Sequence, residues 1–125
     1  MKLLVDSWAW VELFRSGPKA EQCAEALSAS SGVYTTVINV FEVCRRLRYD
    51  EGKASRDLGL SIMLKKAQVL GIDLSDALSA DLIAYHDGLH AADAFTASLA
   101  ARHGCSLLTG DPHFKGKPGV TYVGD

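Results

Sequence analysis

The chain has 125 residues, 48% of them apolar and 22% charged, with a formal net charge of −2 at pH 7. That length suits a single domain spanning residues 1–125, and the composition excludes a disordered or fibrous chain. Every apolar run is far shorter than a bilayer span, which argues against a membrane helix, and the slight acidity excludes polyanion binding by bulk charge alone.

Residues 2–5 read as a short buried strand, too apolar and too brief for an amphipathic helix. Asp6 and Ser7 can cap the helix that follows, whose apolar face carries Trp8, Val11, Leu13 and Phe14 up to a stop at Ser16-Gly17. Core is the default position for at least one of Trp8 and Trp10. Pro18 fits the first turn of a second helix through residue 28, with Cys23, Ala26 and Leu27 facing inward. The β-branched stretch 33–36 predicts a strand, and residues 37–49 a helix ending near Gly52. A further helix is expected over 55–70, with Leu60, Met63, Leu64 and Ala67 as its inner stripe, then a weak strand at 72–74 after Gly71. Ser75 would cap a helix through Tyr85 with Leu78, Leu82 and Ile83 on its core face. The alanine-rich stretch 91–102 predicts a helix closed by Gly104. Residues 105–109 form a clear strand, 110–112 a turn, and 120–123 a last strand. Short apolar strands alternating with helices indicate an α/β fold, a three-layer α/β/α arrangement around a short, largely parallel sheet.

Four acids stand at strand ends or inside apolar helical runs: Asp6, Glu42, Asp93 and Asp111. Each has an ordinary explanation. Asp6 can cap a helix, Glu42 can pair with Arg46 one turn on, Asp93 can answer a helix dipole, and Asp111 before Pro112 is a common turn pair. Together they say more. In open parallel sheets ligands bind beyond the carboxyl ends of the strands, where Asp6 and Asp111 would sit. Glu42 and Asp93 reach that rim if the connections before their helices are short. Carboxylates gathered there without cations repel, and hard divalent ions such as Mg²⁺, which commonly work on phosphates, relieve the repulsion. Setting the four aside leaves thirteen basic residues against eleven acids, a balance of +2 compatible with a polyanionic substrate.

Cys23, Cys44 and Cys105 are odd in number and without CxxC spacing, as expected of reduced core thiols in a cytoplasm. No signal peptide is expected, since Met1-Lys2 leads straight into a strand. His86, His90, His103 and His113 lack zinc-site spacing and are read as surface or capping residues, His113 alone being a candidate for substrate contact. The run Arg45-Arg46-Leu47-Arg48 is first a solvated helical face, although Arg45 and Arg46 can touch a phosphate backbone, and Lys115 and Lys117 are lesser candidates.

In its motifs the chain resembles the PIN-domain ribonucleases, most closely the VapC-like toxins of toxin–antitoxin pairs. The resemblance spans essentially the whole chain. It rests on Leu4-Val5-Asp6-Ser7, the stretch from Thr36 to Glu42, Asp93-Ala94-Phe95-Thr96-Ala97, and Leu107-Leu108-Thr109-Gly110-Asp111-Pro112-His113-Phe114. The family's acidic positions fall on Asp6, Glu42, Asp93 and Asp111, with Thr109 at an accessory hydroxyl. The resemblance implies Mg²⁺ or Mn²⁺ as cofactor and hydrolysis of RNA in line, leaving 5′-phosphate and 3′-hydroxyl ends. Asp6, Asp93 and Asp111 would hold the ion, Glu42 would ligate it or orient the attacking water, and Ser7 and Thr109 would steady these groups from behind. It also implies a homodimer and a cognate antitoxin that covers the acidic site. Three other readings share the acidic rim: a phosphate-accepting receiver domain, a catalytically silent binding module, and a nuclease acting on DNA or structured nucleic acid. The receiver reading fits poorly, because Asp6 is followed by Ser7 rather than a second acid.

Overall fold

The computed structural model describes residues 1–125. Five parallel strands form one sheet: β1 (Lys2–Val5), β2 (Gly32–Thr36), β3 (Gln68–Leu70), β4 (Ser106–Thr109) and β5 (Val120–Tyr122), in the order β3-β2-β1-β4-β5. The helices are α1 (Ser7–Phe14), α2 (Ala20–Ala29), α3 (Val37–Glu51), α4 (Lys53–Lys66), α5 (Leu74–Asp87) and α6 (Ala91–Arg102), with a 3₁₀ turn at Pro112–Phe114. No helix is long and apolar enough to cross a membrane.

Alternation along the strands creates the three layers. Leu3 and Val5 face Ala9 and Trp10 of α1, Cys23 of α2, Val43 and Leu47 of α3 and Met63 of α4. Leu4 and Leu107 point the other way, towards Leu99 and Ala100 of α6 and Phe114. A parallel sheet covered on both faces must be apolar on both, which is why these strands read as continuous hydrophobic runs. Trp10 ties helix to sheet: its indole N–H donates to Thr35 Oγ1 at 3.1 Å, and that hydroxyl donates to the Val5 carbonyl at 2.9 Å. The three cysteines are free thiols, two of them buried.

Three expectations are corrected. The third strand is Gln68–Leu70, not residues 72–74, because Thr35 and Thr36 of β2 pair with Val69 and Leu70 and stop α4 at Lys66. Leu64, expected inside, is exposed. Pro18 precedes α2 by two residues instead of opening it.

A fourth correction concerns α5. Its N-cap is Asp73, which forms a reciprocal capping box with Asp76, while Ser75 only donates to Asp73 Oδ1. Leu78 and Leu82 are 61% and 59% exposed, whereas Asp76 is 1% exposed. The reason is an ion pair. Arg102 of α6 grips the Asp76 carboxylate with Nε at 2.7 Å and Nη2 at 3.0 Å, so α5 turns its acid and Ala80 inward and its leucines outward. Removing one partner of a buried pair is costly because the other is left unpaired. Arg102→Ala is therefore expected to destabilise the fold by about 2–4 kcal/mol in urea unfolding, while Arg102→Lys recovers only part of the loss.

Candidate active site at the strand ends

The order β3-β2-β1-β4-β5 reverses direction between β1 and β4, which opens a crevice at their carboxyl ends. Asp6 follows β1 directly, and Asp111 follows β4 after one residue. Thr109, fully buried, joins them: its hydroxyl donates to Asp6 Oδ2 at 2.7 Å and accepts the Asp111 amide N–H at 3.0 Å. The intervening Gly110 leaves no room for a side chain, since a Cβ there would overlap the Trp8 ring.

Asp6 occupies the N-cap position of α1 but makes no side-chain capping bond. Its carboxylate is 5% exposed. Burial pushes its pKa up from 3.8 to about 7, against the hydrogen bonds from Thr109 and the Ser7 amide, and the neighbouring Asp93 and Glu42 carboxylates push it further the same way. Its other oxygen takes a hydrogen bond from Asn39 Nδ2 at 3.3 Å. Asn39 is fully buried on α3, whose capping box it closes with Thr36, and its amide also donates to Ser7 Oγ at 3.1 Å. Ser7 Oγ in turn donates to Glu42 Oε1 at 2.6 Å. Glu42 thus faces the crevice and does not pair with Arg46, which turns to Asp50.

Asp93 lies in the first turn of α6, half-buried, with no capping role. Burial raises its pKa, and Asp111 raises it further; His113 and His90 pull it down. Asp111 caps the 3₁₀ turn, its Oδ1 accepting the His113 amide N–H at 2.9 Å. The His113 ring comes with it, placing Nδ1 3.2 Å from Asp93 Oδ2 and 3.4 Å from Asp111 Oδ1. His113 is thus exposed, as expected of a surface residue, while its ring also reaches both carboxylates.

The structure thus brings Asp6, Glu42, Asp93 and Asp111 together, with Ser7 and Thr109 behind them. Asn39 and His113 complete the cluster. Asn39 was not singled out from the sequence, where its signal is a polar residue three positions after a capping threonine inside an apolar run. His113 was signalled only by its place two residues after Asp111. None of the four acids pairs with lysine or arginine; His113 is the one cation-forming group in contact with them. Oxygen donors gathered without such partners suit a hard divalent ion.

Arg45 and Arg46 are exposed. With Arg15, Trp8, Phe41 and Tyr49 they line a groove of about 750 Å³ whose lining also includes Ser7 and Glu42. The Arg45 guanidinium lies over the Tyr49 ring at 5.3 Å. Lys115 donates instead to the main-chain oxygen of Asp125 at 2.6 Å.

The charge arrangement sets a pH dependence. A carboxyl whose folded pKa lies above its unfolded one stabilises the fold only while protonated. In chelator, stability is expected to fall as the pH rises from about 4 to about 7, by on the order of 4 kcal/mol at most from Asp6. Asp6→Asn should flatten that slope in urea titrations at the two pH values, and a divalent ion should restore stability at the upper one.

The PIN domain family model matches residues 3–119. Among solved structures, a toxin–antitoxin complex from Klebsiella pneumoniae superposes with a TM-score of 0.79 at 22% identity, covering 94% of each chain. VapBC2 from Rickettsia felis, bound to a DNA fragment from its promoter, gives 0.75 at 17% identity over 96% of each chain. VapC20 of Mycobacterium tuberculosis, a toxin that cleaves the sarcin–ricin loop, gives 0.71 at 16% identity over 86% of each chain. No curated protein matches the sequence significantly.

Proposed function

Because the chain belongs to the PIN-domain family, we propose that it is a metal-dependent endoribonuclease, the toxin of a toxin–antitoxin pair acting in the cytoplasm. The observation that carries this reading is Asp6: a carboxylate 5% exposed, crowded by two others, with no lysine or arginine to neutralise it. Such a group is tolerable when the protein's working state includes a cation. The similarity to toxin–antitoxin complexes, and to a toxin that cleaves the sarcin–ricin loop, supports RNA as substrate and an antitoxin as partner.

Asp6, Asp93 and Asp111 are the residues that would hold Mg²⁺ or Mn²⁺. When bound, the ion supplies Lewis-acid activation of water and offsets charge on the scissile phosphate. The protein does the rest. Thr109 ties the Asp6 carboxylate to the Asp111 backbone, and Asn39 holds the other Asp6 oxygen. Glu42, held by Ser7, would orient the attacking water and take its proton. Arg45 and Arg46 border the approach to Glu42 and would engage the phosphodiester backbone of the strand. An antitoxin presenting a cationic side chain to this acidic crevice would both block it and neutralise it.

Labelled RNA and DNA oligonucleotides, incubated with the protein in Mg²⁺, Mn²⁺ or chelator, test the reading. RNA cleavage should require the ion and fall by about a hundredfold or more in Asp93→Asn, with the fold unchanged by circular dichroism. Cleavage that survives chelator would refute it, and cleavage of DNA alone would reassign the substrate.

A second copy of the chain is the other proposed partner. Leu74, Leu78, Leu82 and Tyr85 form an exposed stripe along α5, 59–82% accessible. Apolar stripes of this kind on soluble proteins mark interaction surfaces. Leu78→Asp with Leu82→Asp is expected to convert a dimer to a monomer in sedimentation equilibrium, without loss of helical signal.

A further inference from the structure

We propose that His113 supplies an imidazole nitrogen to the metal centre beside Asp93 and Asp111, and thereby biases the site towards first-row transition-metal ions over Mg²⁺. The inference rests on the metal-dependent reading above and deepens it. The acids alone would form an all-oxygen site, which suits Mg²⁺ and Mn²⁺.

Three features of the structure carry it. The donor atoms of Asp93, Asp111 and His113 all lie within 4.8 Å of one another. The two distances from His113 Nδ1 to the carboxylate oxygens are 3.2 and 3.4 Å, the separation expected of donors that share one ion, roughly 3.0–3.4 Å for bonds of about 2.1 Å. The imidazole is also held in place. Its backbone N–H is fixed on Asp111 Oδ1, and the His90 ring packs edge-on against it with centroids 5.8 Å apart. His90 is the N-cap residue of α6, three positions before Asp93, so both carboxylates and the imidazole are set by the start of α6 and the 3₁₀ turn. Metal-free, His113 Nδ1 and Asp93 Oδ2 lie within hydrogen-bond distance of each other. As a ligand the neutral ring carries its single proton on Nε2 and offers the Nδ1 lone pair to the ion. Imidazole strengthens binding of the later first-row ions much more than that of Mg²⁺, so the selectivity follows from one residue.

The experiment uses the full chain stripped of metal, as wild type, His113→Gln, His90→Gln and Asp93→Asn. Calorimetric titration with Mg²⁺ and with Co²⁺ is combined with electron spin-echo modulation of bound Mn²⁺, which detects a coordinated imidazole nitrogen. Nitrogen modulation is expected in wild type and His90→Gln and lost in His113→Gln. That variant should also lose about tenfold or more in Co²⁺ affinity while Mg²⁺ affinity stays within about twofold. Asp93→Asn should weaken both ions. Modulation absent from wild type or surviving in His113→Gln, or equal losses for the two ions, overturns the role of His113 and leaves the nuclease reading standing. Failure of every ion to bind wild type overturns both.

Discussion

The hydroxyl of Thr109 links the two central strands of the site, and the rest of the arrangement follows from that link. It donates to a carboxylate at the end of β1 and accepts an amide from the residue that caps the turn after β4. The first bond is buried and the second part-buried, and an unmade buried hydrogen bond would cost on the order of 1–3 kcal/mol. Neither aspartate can drift without breaking one of them. Valine would keep the shape of Thr109 and lose both bonds, so the requirement is chemical as well as steric.

Around that link the fold accepts an electrostatic cost for the sake of position. A carboxylate in the first buried layer, next to two more, opposes folding whenever it is ionised. The compensation lies elsewhere: in strands apolar on both faces, in the Trp10–Thr35–Val5 chain that seats α1 on the sheet, and in the Asp76–Arg102 pair that clamps α5 to α6. The two buried aspartates, Asp6 and Asp76, illustrate opposite solutions. One has an arginine and holds two helices together; the other has only neutral hydrogen-bond donors.

Much of the architecture was legible because strand burial and helix capping are local signals. The four strands flanked by clear turns, and the alanine-rich α6, follow from runs and stops in the sequence. The third strand was not legible. Val69 and Leu70 continue the periodicity of α4, and only pairing with Thr35 and Thr36 decides that they are extended. The face of α5 was misread for a related reason. Leucine spacing predicts an inward stripe unless something stronger claims the other face, and the claimant, Arg102, lies 26 positions away. The four acids were readable as a set through their places at strand ends and helix starts. Asn39 and the ring of His113 were not, because their meaning lies in what they touch across the crevice.

The bond between Thr109 and Asp6 spans 103 positions of chain. Until β4 has been synthesised and has slotted in beside β1, Asp6 has no Thr109 and no Asp111 next to it. A growing polypeptide still attached to the ribosome therefore carries half a crevice, surrounded by the very class of polymer it is proposed to cut. Long-range strand pairing of this kind is slow to form. Under the proposed function, a chain in synthesis would have no complete acidic crevice until that pairing forms.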